Sequence, residues 1–431
     1  SAIYGADGVS GVVNFITKTN FEGLRMRLQG GMPEASGGGK EGLFSITAGK
    51  NFAEDKGNIA FSFEGTTETR LKASDRPVRQ GFYRNPNDPF DDPSIPDYIP
   101  QRDIRYYESS PLGAVYTDVD DYDALFGAPT TLAANFNGDG AVWNPGVIPF
   151  IAPFYAQGGS ATPVEGYGGD LTPQTTRYNF NVLGHYDFTE NVRLFTELKF
   201  VRTLSRTLSQ PTFDYYLAVQ EDNPFMPASI RDAITTSGIG VADFGLATGF
   251  VSRDNFDLGR RGEDIRRDTY RAVVGLEGNV FEDIEYNASY TFGQTKVANR
   301  VLRERLDDRW AAALDVGINP ATGLADCKVN YLPGYEPVNV GWNGLPAPTT
   351  FAAGECKPFN LFATNPADNA EASAWIAPTG RSDSELTQHV LSGYLSGNLD
   401  KLFTLPGGSF GWSVGAEWRR EESDGGQSFA D

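Results

Sequence analysis

Sulfur and imidazole are scarce in this chain of 431 residues, which has two cysteines, three methionines and two histidines. Zinc, copper and thiol chemistry depend on those side chains, so the sequence offers little material for such sites. Long apolar runs are also missing: no stretch approaches the roughly 18 consecutive apolar residues of a membrane-spanning helix, which excludes a helical membrane protein. Basic residues number 36 against 56 acidic ones, and the resulting formal charge of −20 argues against a nucleic-acid partner.

Glycine and aromatic side chains, in contrast, are abundant. There are 49 glycines, and aromatic residues make up 13% of the chain. This composition is typical of a β-rich protein. The chain begins at Ser1 with no Met and no leader-like segment, and a polar stretch, 423–431, follows the last predicted strand. We therefore expect an excerpt from a longer chain.

Alternation of apolar and polar residues with a period of two recurs nine times and predicts nine strands. In the first strand Leu24, Met26 and Leu28 form one face, and Arg25, Arg27 and Gln29 form the other. The centres of the apolar faces carry no charged residue, although the chain is 21% charged. The pattern fits lipid-facing strands, but one side of a water-soluble sandwich alternates equally well. The strands are predicted at 24–29, 44–48, 59–64, 178–188, 192–200, 270–280, 286–292, 389–399 and 412–419.

The connections between these strands separate the two alternatives. Short turns at 51–57, 189–191, 281–285 and 400–409 alternate with connections at 32–41, 69–176, 203–268 and 299–385. The last three of the second set are long. A membrane barrel places short turns on one side and long loops on the other, whereas a soluble sandwich has no reason to do so. The sequence therefore favours an all-β transmembrane antiparallel β-barrel.

The first eighteen residues, SAIYGADGVSGVVNFITK, differ from the alternating strands. They resemble the closing segment of the plug domain of TonB-dependent outer-membrane receptors, through Ala2, Ile3, Tyr4, Gly5, Asp7, Gly11, Val12, Val13, Asn14 and Ile16. The resemblance implies that residues 1–20 are the C-terminal tail of an N-terminal plug domain. It implies that residues 21–431 are about the first nine strands of a 22-stranded barrel with long extracellular loops.

Three further stretches resemble external-loop motifs of the same family. They are the segments 222–227 (DNPFMP) and 253–259 (RDNFDLG), and a paired-cysteine loop with NPATG at 319–323, Cys327, and CKPFNLF at 356–362. In that loop Cys327 and Cys356 are predicted to form a disulfide, because extracellular surroundings are oxidising and the cysteine count is even. Two free buried thiols and a metal-binding pair are the alternatives.

Aromatic clusters in the long connections are the best ligand candidates. They comprise Tyr106 and Tyr107, and Phe213, Tyr215 and Tyr216. Flat stacking surfaces beside carboxylates and arginines suit sugars, aromatic chelates or planar cofactors, but packing between loops would also explain these residues.

Charged and helical features of the connections complete the set of candidates. Segment 135–140 (NFNGDG) resembles half of a calcium loop but lacks the final Glu, so an Asx-rich turn is the alternative. Segment 116–123 is acidic and either attracts a cation or is a solvated loop face. Segment 303–316 has helical spacing and predicts a short helix over the barrel mouth. The inward-facing charges either contact the plug or are solvated: Arg25, Arg27, Arg193, Glu197, Lys199, Arg271 and Glu277.

No catalytic residue, cofactor site or metal site is predicted. His185 and His389 fall on predicted strands without a serine elbow or metal-ligand spacing, and Gly37–Lys40 lacks the spacing of a phosphate-binding loop.

The resemblance implies a receptor in the Gram-negative outer membrane. It would capture a scarce small-molecule or oligomeric solute, such as a siderophore-like chelate or an oligosaccharide. It would import that solute with energy from an inner-membrane complex, and its surroundings would be the lipid bilayer. The alternatives are a passive porin or surface adhesin barrel, and a secreted soluble β-rich enzyme or lectin.

Overall fold

The computed structural model describes residues 17–35, 37–75, 80–85, 92–106, 108–117, 134–147, 155–281, 284–339, 350–400 and 408–429. Nine strands form one antiparallel sheet, in which every neighbouring pair is antiparallel. In order across the sheet they are β1 (Gly23–Gly31), β2 (Glu41–Phe52), β3 (Gly57–Glu68), β12 (Gln174–Thr189), β13 (Val192–Pro211), β16 (Arg260–Val280), β17 (Ile284–Leu302), β20 (Gly380–Asn398) and β21 (Gly411–Phe429). The nine predicted strands and the all-β fold class are confirmed.

Short and long connections lie at opposite ends of this sheet, as predicted. Neighbouring strands follow one another in the chain, so the alternate connections fall at the same end. The short connections between the strands are residues 53–56, 190–191, 281–283 and 399–410, and the other set is residues 32–40, 69–173, 212–259 and 303–379. The three long members of that set are called the cap below.

The cap contains small sheets and short helices. Its strands are β4 (Leu71–Lys72), β5 (Gln80–Arg84), β6 (Tyr98–Arg102), β7 (Ile104–Tyr106), β8 (Ala114–Tyr116), β9 (Phe136–Asn137), β10 (Tyr155–Gln157), β11 (Asp170–Thr172), β14 (Phe213–Gln220), β15 (Thr248–Asp254), β18 (Val316–Ile318) and β19 (Ala325–Cys327). Its helices are α1 (Val164–Tyr167), α2 (Ala228–Ser237), α3 (Val241–Phe244), α4 (Asp307–Leu314), α5 (Lys328–Tyr331) and α6 (Ala370–Ile376), with 3₁₀ turns at Ala73–Asp75 and Pro366–Asn369. None of the helices in the described residues is long and apolar enough to span a membrane.

Sequence signals explain how individual cap elements begin and end. Pro227 precedes α2, and Gly238 ends it with a left-handed φ of 65°, donating its N–H to the Ile234 carbonyl. Ile230 and Ile234, four residues apart on that helix, are fully buried. Helix α4 lies within the segment 303–316 that the sequence predicts as helical.

The hydrophobic core lies in the cap and not in the large sheet. Among the described residues, Ala60, Pro211 and Val273 are the only buried apolar side chains on the nine strands. All other buried apolar residues belong to the cap, where two clusters join the three long connections. A four-stranded sheet in the order β14-β15-β8-β9 forms the centre of the cap.

Candidate functional site

The large sheet exposes its apolar face. Phe61 and Leu276 are 42% and 43% exposed, and Trp412 on β21 is partly exposed. A water-soluble sandwich would bury these side chains in a shared interior, because each exposed large apolar side chain forgoes about 1.5–3 kcal/mol. The face is therefore a continuous apolar surface that the described residues leave uncovered.

The apolar surface runs obliquely across the sheet. Residues of neighbouring strands lie directly opposite one another in pairs. The row of opposed residues that starts at Met26 on β1 ends at Glu422 on β21. On β21, however, the apolar residues are centred near position 415, about seven residues from Glu422. The centre of the apolar surface therefore moves along the chain by about one residue from each strand to the next, relative to the row of opposed residues. With strands ~4.8 Å apart and a rise of ~3.4 Å per residue, this shift corresponds to strands tilted by roughly 30–35° from the normal to the band.

The height of the band is limited on one side by a row of charges. Uncharged residues occupy this face from Tyr270 to Val280 on β16, a span of roughly 28 Å along the band normal at the tilt given above. The next opposed row is Arg202, Asp268, Lys296 and Glu385. Arg202 binds Asp268 through two hydrogen bonds of 2.7 and 2.9 Å, and Lys296 lies 3.2 Å from Glu385. On β13, β16, β17 and β20 the apolar surface thus ends at a row of ion pairs on the side of the cap.

The opposite face of the sheet is polar and internally hydrogen-bonded. Arg193 forms two hydrogen bonds to Asp187, of 2.5 and 3.0 Å, and lies 3.9 Å from Glu277. Arg271 pairs with Glu197 on the neighbouring strand. The strand register places Arg25, Arg27 and Lys199 on the same face of the sheet. All seven charged residues that the sequence predicts to face inward therefore lie on this polar face.

The segment before β1 lies against the polar face. The Asn58 side chain donates to the Phe21 carbonyl at 2.9 Å and to Asn51. Thr19 lines a cavity of about 250 Å³ together with His185, Arg193, Phe195, Glu197 and Glu277. His185 is buried, and its Nδ1 has no hydrogen-bond partner among the described residues. The chain therefore approaches the sheet from its polar side. The plug-motif residues Tyr4, Gly5, Asp7, Gly11 and Asn14 lie outside the described residues.

The two cysteines form a disulfide in the cap, with 6.1 Å between their Cα atoms, as predicted. Cys327 and Cys356 belong to the larger apolar cluster, in which Met226, Leu258 and Phe359 are also buried. These five residues come from the loop motifs identified in the sequence. The motifs therefore contribute to the packing of the cap.

A buried lysine joins two of the long connections beside the disulfide. The Lys328 ammonium lies 2.7 Å from the Gln220 amide oxygen, 2.9 Å from Asp222 and 3.1 Å from Asp315. Asp315 also accepts hydrogen bonds from the Tyr335 hydroxyl and the Val338 N–H. Burial alone would lower the pKa of Lys328, but the two carboxylates outweigh it and raise the pKa. This cluster is saturated with internal partners.

The aromatic ligand candidates form one continuous array. Ring centroids are 4.9 Å apart between Tyr106 and Tyr167, 6.5 Å between Tyr167 and Phe213, and 5.6 Å between Phe213 and Tyr215. Tyr215 continues to Tyr216 at 6.3 Å. Distances of this size allow direct ring contacts. The structure thus brings together the candidates from two distant connections, while Tyr107 lies outside the described residues.

The candidates differ in exposure. Phe213 and Tyr215 are 39% and 43% exposed, whereas Tyr216 is 7% exposed and packs against Tyr116. Tyr216 has a left-handed φ of 56° at the register shift in β14, an uncommon conformation for a bulky residue. The irregularity directs Tyr216 into the cap core and leaves its two aromatic predecessors accessible.

Two carboxylates that the sequence does not identify as ligand candidates, Asp254 and Glu108, lie beside this array. Asp254 is buried and accepts hydrogen bonds from the hydroxyls of Ser109, at 2.9 Å, and Thr162. Burial raises the pKa of Asp254, although both hydroxyls act in the opposite direction, and burial also raises the pKa of Glu108. Burial, followed by the charges of Asp254 and Glu108, raises the pKa of Tyr215 to about 12. The tyrosine hydroxyl therefore remains protonated at physiological pH.

The segment resembling half a calcium loop forms Asx-type hydrogen bonds. The Asn135 side-chain oxygen accepts from Thr117, and that of Asp139 accepts from the Ala141 N–H. Among the described residues, no group of three or more His, Cys, Asp or Glu side chains is arranged to hold a metal ion. Positions 118–123 of the acidic segment lie outside the described residues.

No protein-family model and no curated protein matches this chain. Among solved structures, the ferric-catecholate import receptor Fiu from E. coli K12 is 10% identical, with a TM-score of 0.26 over 94% of this chain and 42% of that one. The siderophore receptor PiuA from Acinetobacter baumannii is 11% identical, with a TM-score of 0.26 over 99% of this chain and 50% of that one. The chain spans half of those chains or less, and at this TM-score the likeness supports no argument about function.

Proposed function

We propose that the chain is part of an outer-membrane active-transport receptor. In this proposal the nine-stranded sheet belongs to a closed barrel, the cap is extracellular, and residues 1–20 are the end of a plug. The receptor captures a scarce solute at the cap and imports it with energy from an inner-membrane complex. No bond is made or broken.

The exposed apolar face is the observation that carries this proposal. Membrane barrels have strands tilted by roughly 35–45° and an outward apolar band roughly 25 Å tall. The tilt of roughly 30–35° derived above lies at the lower edge of that range, and the span of roughly 28 Å is close to that height. The ion-pair row beginning at Arg202 and Asp268 would then lie at the level of the outer headgroups.

The polar face and the entering chain support a plugged lumen. An open channel requires only solvated charges on its inner wall, whereas here the segment containing Thr19 and Phe21 contacts that wall directly. The plug-like motif of residues 1–16 precedes this segment immediately. A passive porin or an adhesin gives no reason for that combination.

Cell fractionation and an uptake assay test the proposal. The complete protein should fractionate with the outer membrane and migrate faster on gels before boiling than after it, as folded barrels do. Uptake should stop when the inner-membrane energy-transducing complex is deleted or the proton gradient is collapsed. Uptake that persists after both treatments would support a passive porin instead. A monodisperse preparation without detergent would rule out the membrane barrel.

A further inference from the structure

The accessible part of the aromatic array is a surface for stacking. Phe213 and Tyr215 expose about two fifths of their surface, and Tyr106 and Tyr155, whose centroids are 5.8 Å apart, are partly exposed beside them. Tyr167, buried below, contacts Tyr106, Phe213 and Phe256. The buried Tyr167 ring thus packs against the exposed ones and restricts their rotation, which lowers the entropy lost when a ligand binds.

The polar groups beside the rings favour hydrogen bonding to hydroxyl groups. Tyr215 keeps its proton at physiological pH and is a donor, while the partly exposed Glu108 offers acceptor oxygens. Asp254 is buried and already accepts hydrogen bonds from Ser109 and Thr162, so its carboxylate is available neither to a cation nor to a ligand at this surface. Exposed rings flanked by the Tyr215 hydroxyl and the Glu108 carboxylate match a ligand with alternating apolar faces and hydroxyls.

The charge of the cap discriminates between solute classes. The three long connections, residues 69–173, 212–259 and 303–379, contain 14 basic and 30 acidic residues. They account for most of the formal charge of −20 that the whole chain carries. An acidic entrance repels anionic solutes and lowers their local concentration, because fields in a cleft act over several ångströms. Anionic metal chelates are therefore disfavoured at this mouth.

We propose that the cap receives a neutral polyhydroxylated solute, an oligosaccharide, whose sugar rings stack on Phe213 and Tyr215. This inference rests on the proposed transport function and specifies its substrate class. The neighbouring Tyr106 and Tyr155 extend the surface, so that more than one sugar unit is contacted.

Direct binding to the complete protein in detergent tests the inference. The probes are neutral glucan, xylan, mannan and galactan hexasaccharides, an oligogalacturonate of the same length, and a ferric tris-catecholate chelate. The double variant Phe213→Ala/Tyr215→Ala removes the exposed rings and leaves the buried Tyr167 and Tyr216 unsubstituted. The matched control is Tyr98→Ala, which removes a 61% exposed tyrosine elsewhere in the cap. Retention of the disulfide and of the heat-dependent gel shift verifies that both variants are folded.

At least one neutral hexasaccharide should bind the native protein and the Tyr98 variant equally. Its affinity should fall by at least about tenfold in the double variant. Binding of the uronate or the chelate alone, binding of no neutral glycan, or unchanged affinity in the double variant would overturn the inference. Fractionation reports separately on the transport function: an outer-membrane protein that binds only the chelate refutes the oligosaccharide, whereas a protein absent from that membrane refutes the proposed receptor.

Discussion

A charge placed on the exposed apolar face provides the sharpest test of the membrane assignment. Leu276 lies near the middle of the band on β16, faces Ala288 on β17, and is 43% exposed. In water, replacing an exposed leucine with arginine changes stability by about 0.5 kcal/mol or less. At the middle of a bilayer the same change costs about 2–4 kcal/mol. The two environments therefore predict different outcomes for one substitution.

Leu276→Arg should lower the folding equilibrium constant in phospholipid vesicles by about 30- to 1000-fold, which corresponds to that free energy. The assay is reversible guanidinium unfolding of the complete protein, followed by tryptophan fluorescence. Tyr270→Arg, at the edge of the band beside the ion-pair row, should cost only about 0–1 kcal/mol, because the penalty depends on depth.

Ser289→Arg is the control for the opposite face. Ser289 comes directly after Ala288, the residue opposite Leu276 on β17. It therefore lies at nearly the same depth but on the polar side of the sheet. This substitution should be close to neutral. If the leucine and serine variants unfold at the same denaturant concentration, the apolar face does not meet lipid, and the barrel proposal is wrong.

Three further predictions concern the cap. Lys328→Met leaves the buried Asp315 carboxylate without its cationic partner. This should destabilise the cap by about 3–5 kcal/mol, measured by hydrogen exchange of cap amides in the complete protein. Replacing Cys327 and Cys356 with serine should cost about 3–4 kcal/mol by loop closure over 29 residues, measured by limited proteolysis. Asp254 has a pKa that is raised in the folded state, so the folded cap binds the proton more tightly, and its stability should fall as pH rises from about 4 to that raised pKa. Asp254→Asn should remove this component when thermal stability is compared across that range.

Controls separate each of these effects from general damage. Adding Asp315→Asn to the lysine variant should recover part of the loss, because no unpaired charge then remains at that position. For the disulfide, the native protein treated with a reductant should match the serine variant. For Asp254, Glu108 still titrates in both proteins, so only the difference between their pH profiles is diagnostic. Identical profiles would show that the Asp254 carboxyl does not couple to folding.

The large sheet was predictable from the sequence because its signal is local. Alternation in segments such as 24–29 and 270–280 places each side chain on a face without knowledge of any partner. Turn lengths then fix the connectivity, since consecutive antiparallel strands need no crossover. The disulfide was also accessible, because the chain has only two cysteines.

The architecture of the cap was not accessible from the sequence. Asp254 lies 145 residues from Ser109 and 92 from Thr162, and no periodic pattern connects them. The segment around Asp254 was identified as a motif, but its carboxyl was not recognised as a neighbour of Tyr215. The sequence indicates the aromatic clusters at 106–107 and 213–216 separately, because their union into a single array depends on tertiary packing.

The long-range pairing within the cap has a consequence for the order of folding. Lys328 and Gln220 are 108 residues apart, and Asn369 and Asp257 are 112 apart. These contacts therefore cannot form until the third long connection has been synthesised. The covalent bond between Cys327 and Cys356 closes a much shorter segment and needs no distant partner. The disulfide can therefore form before the cap assembles. In that order, the third long connection is already cross-linked when it packs against the other two.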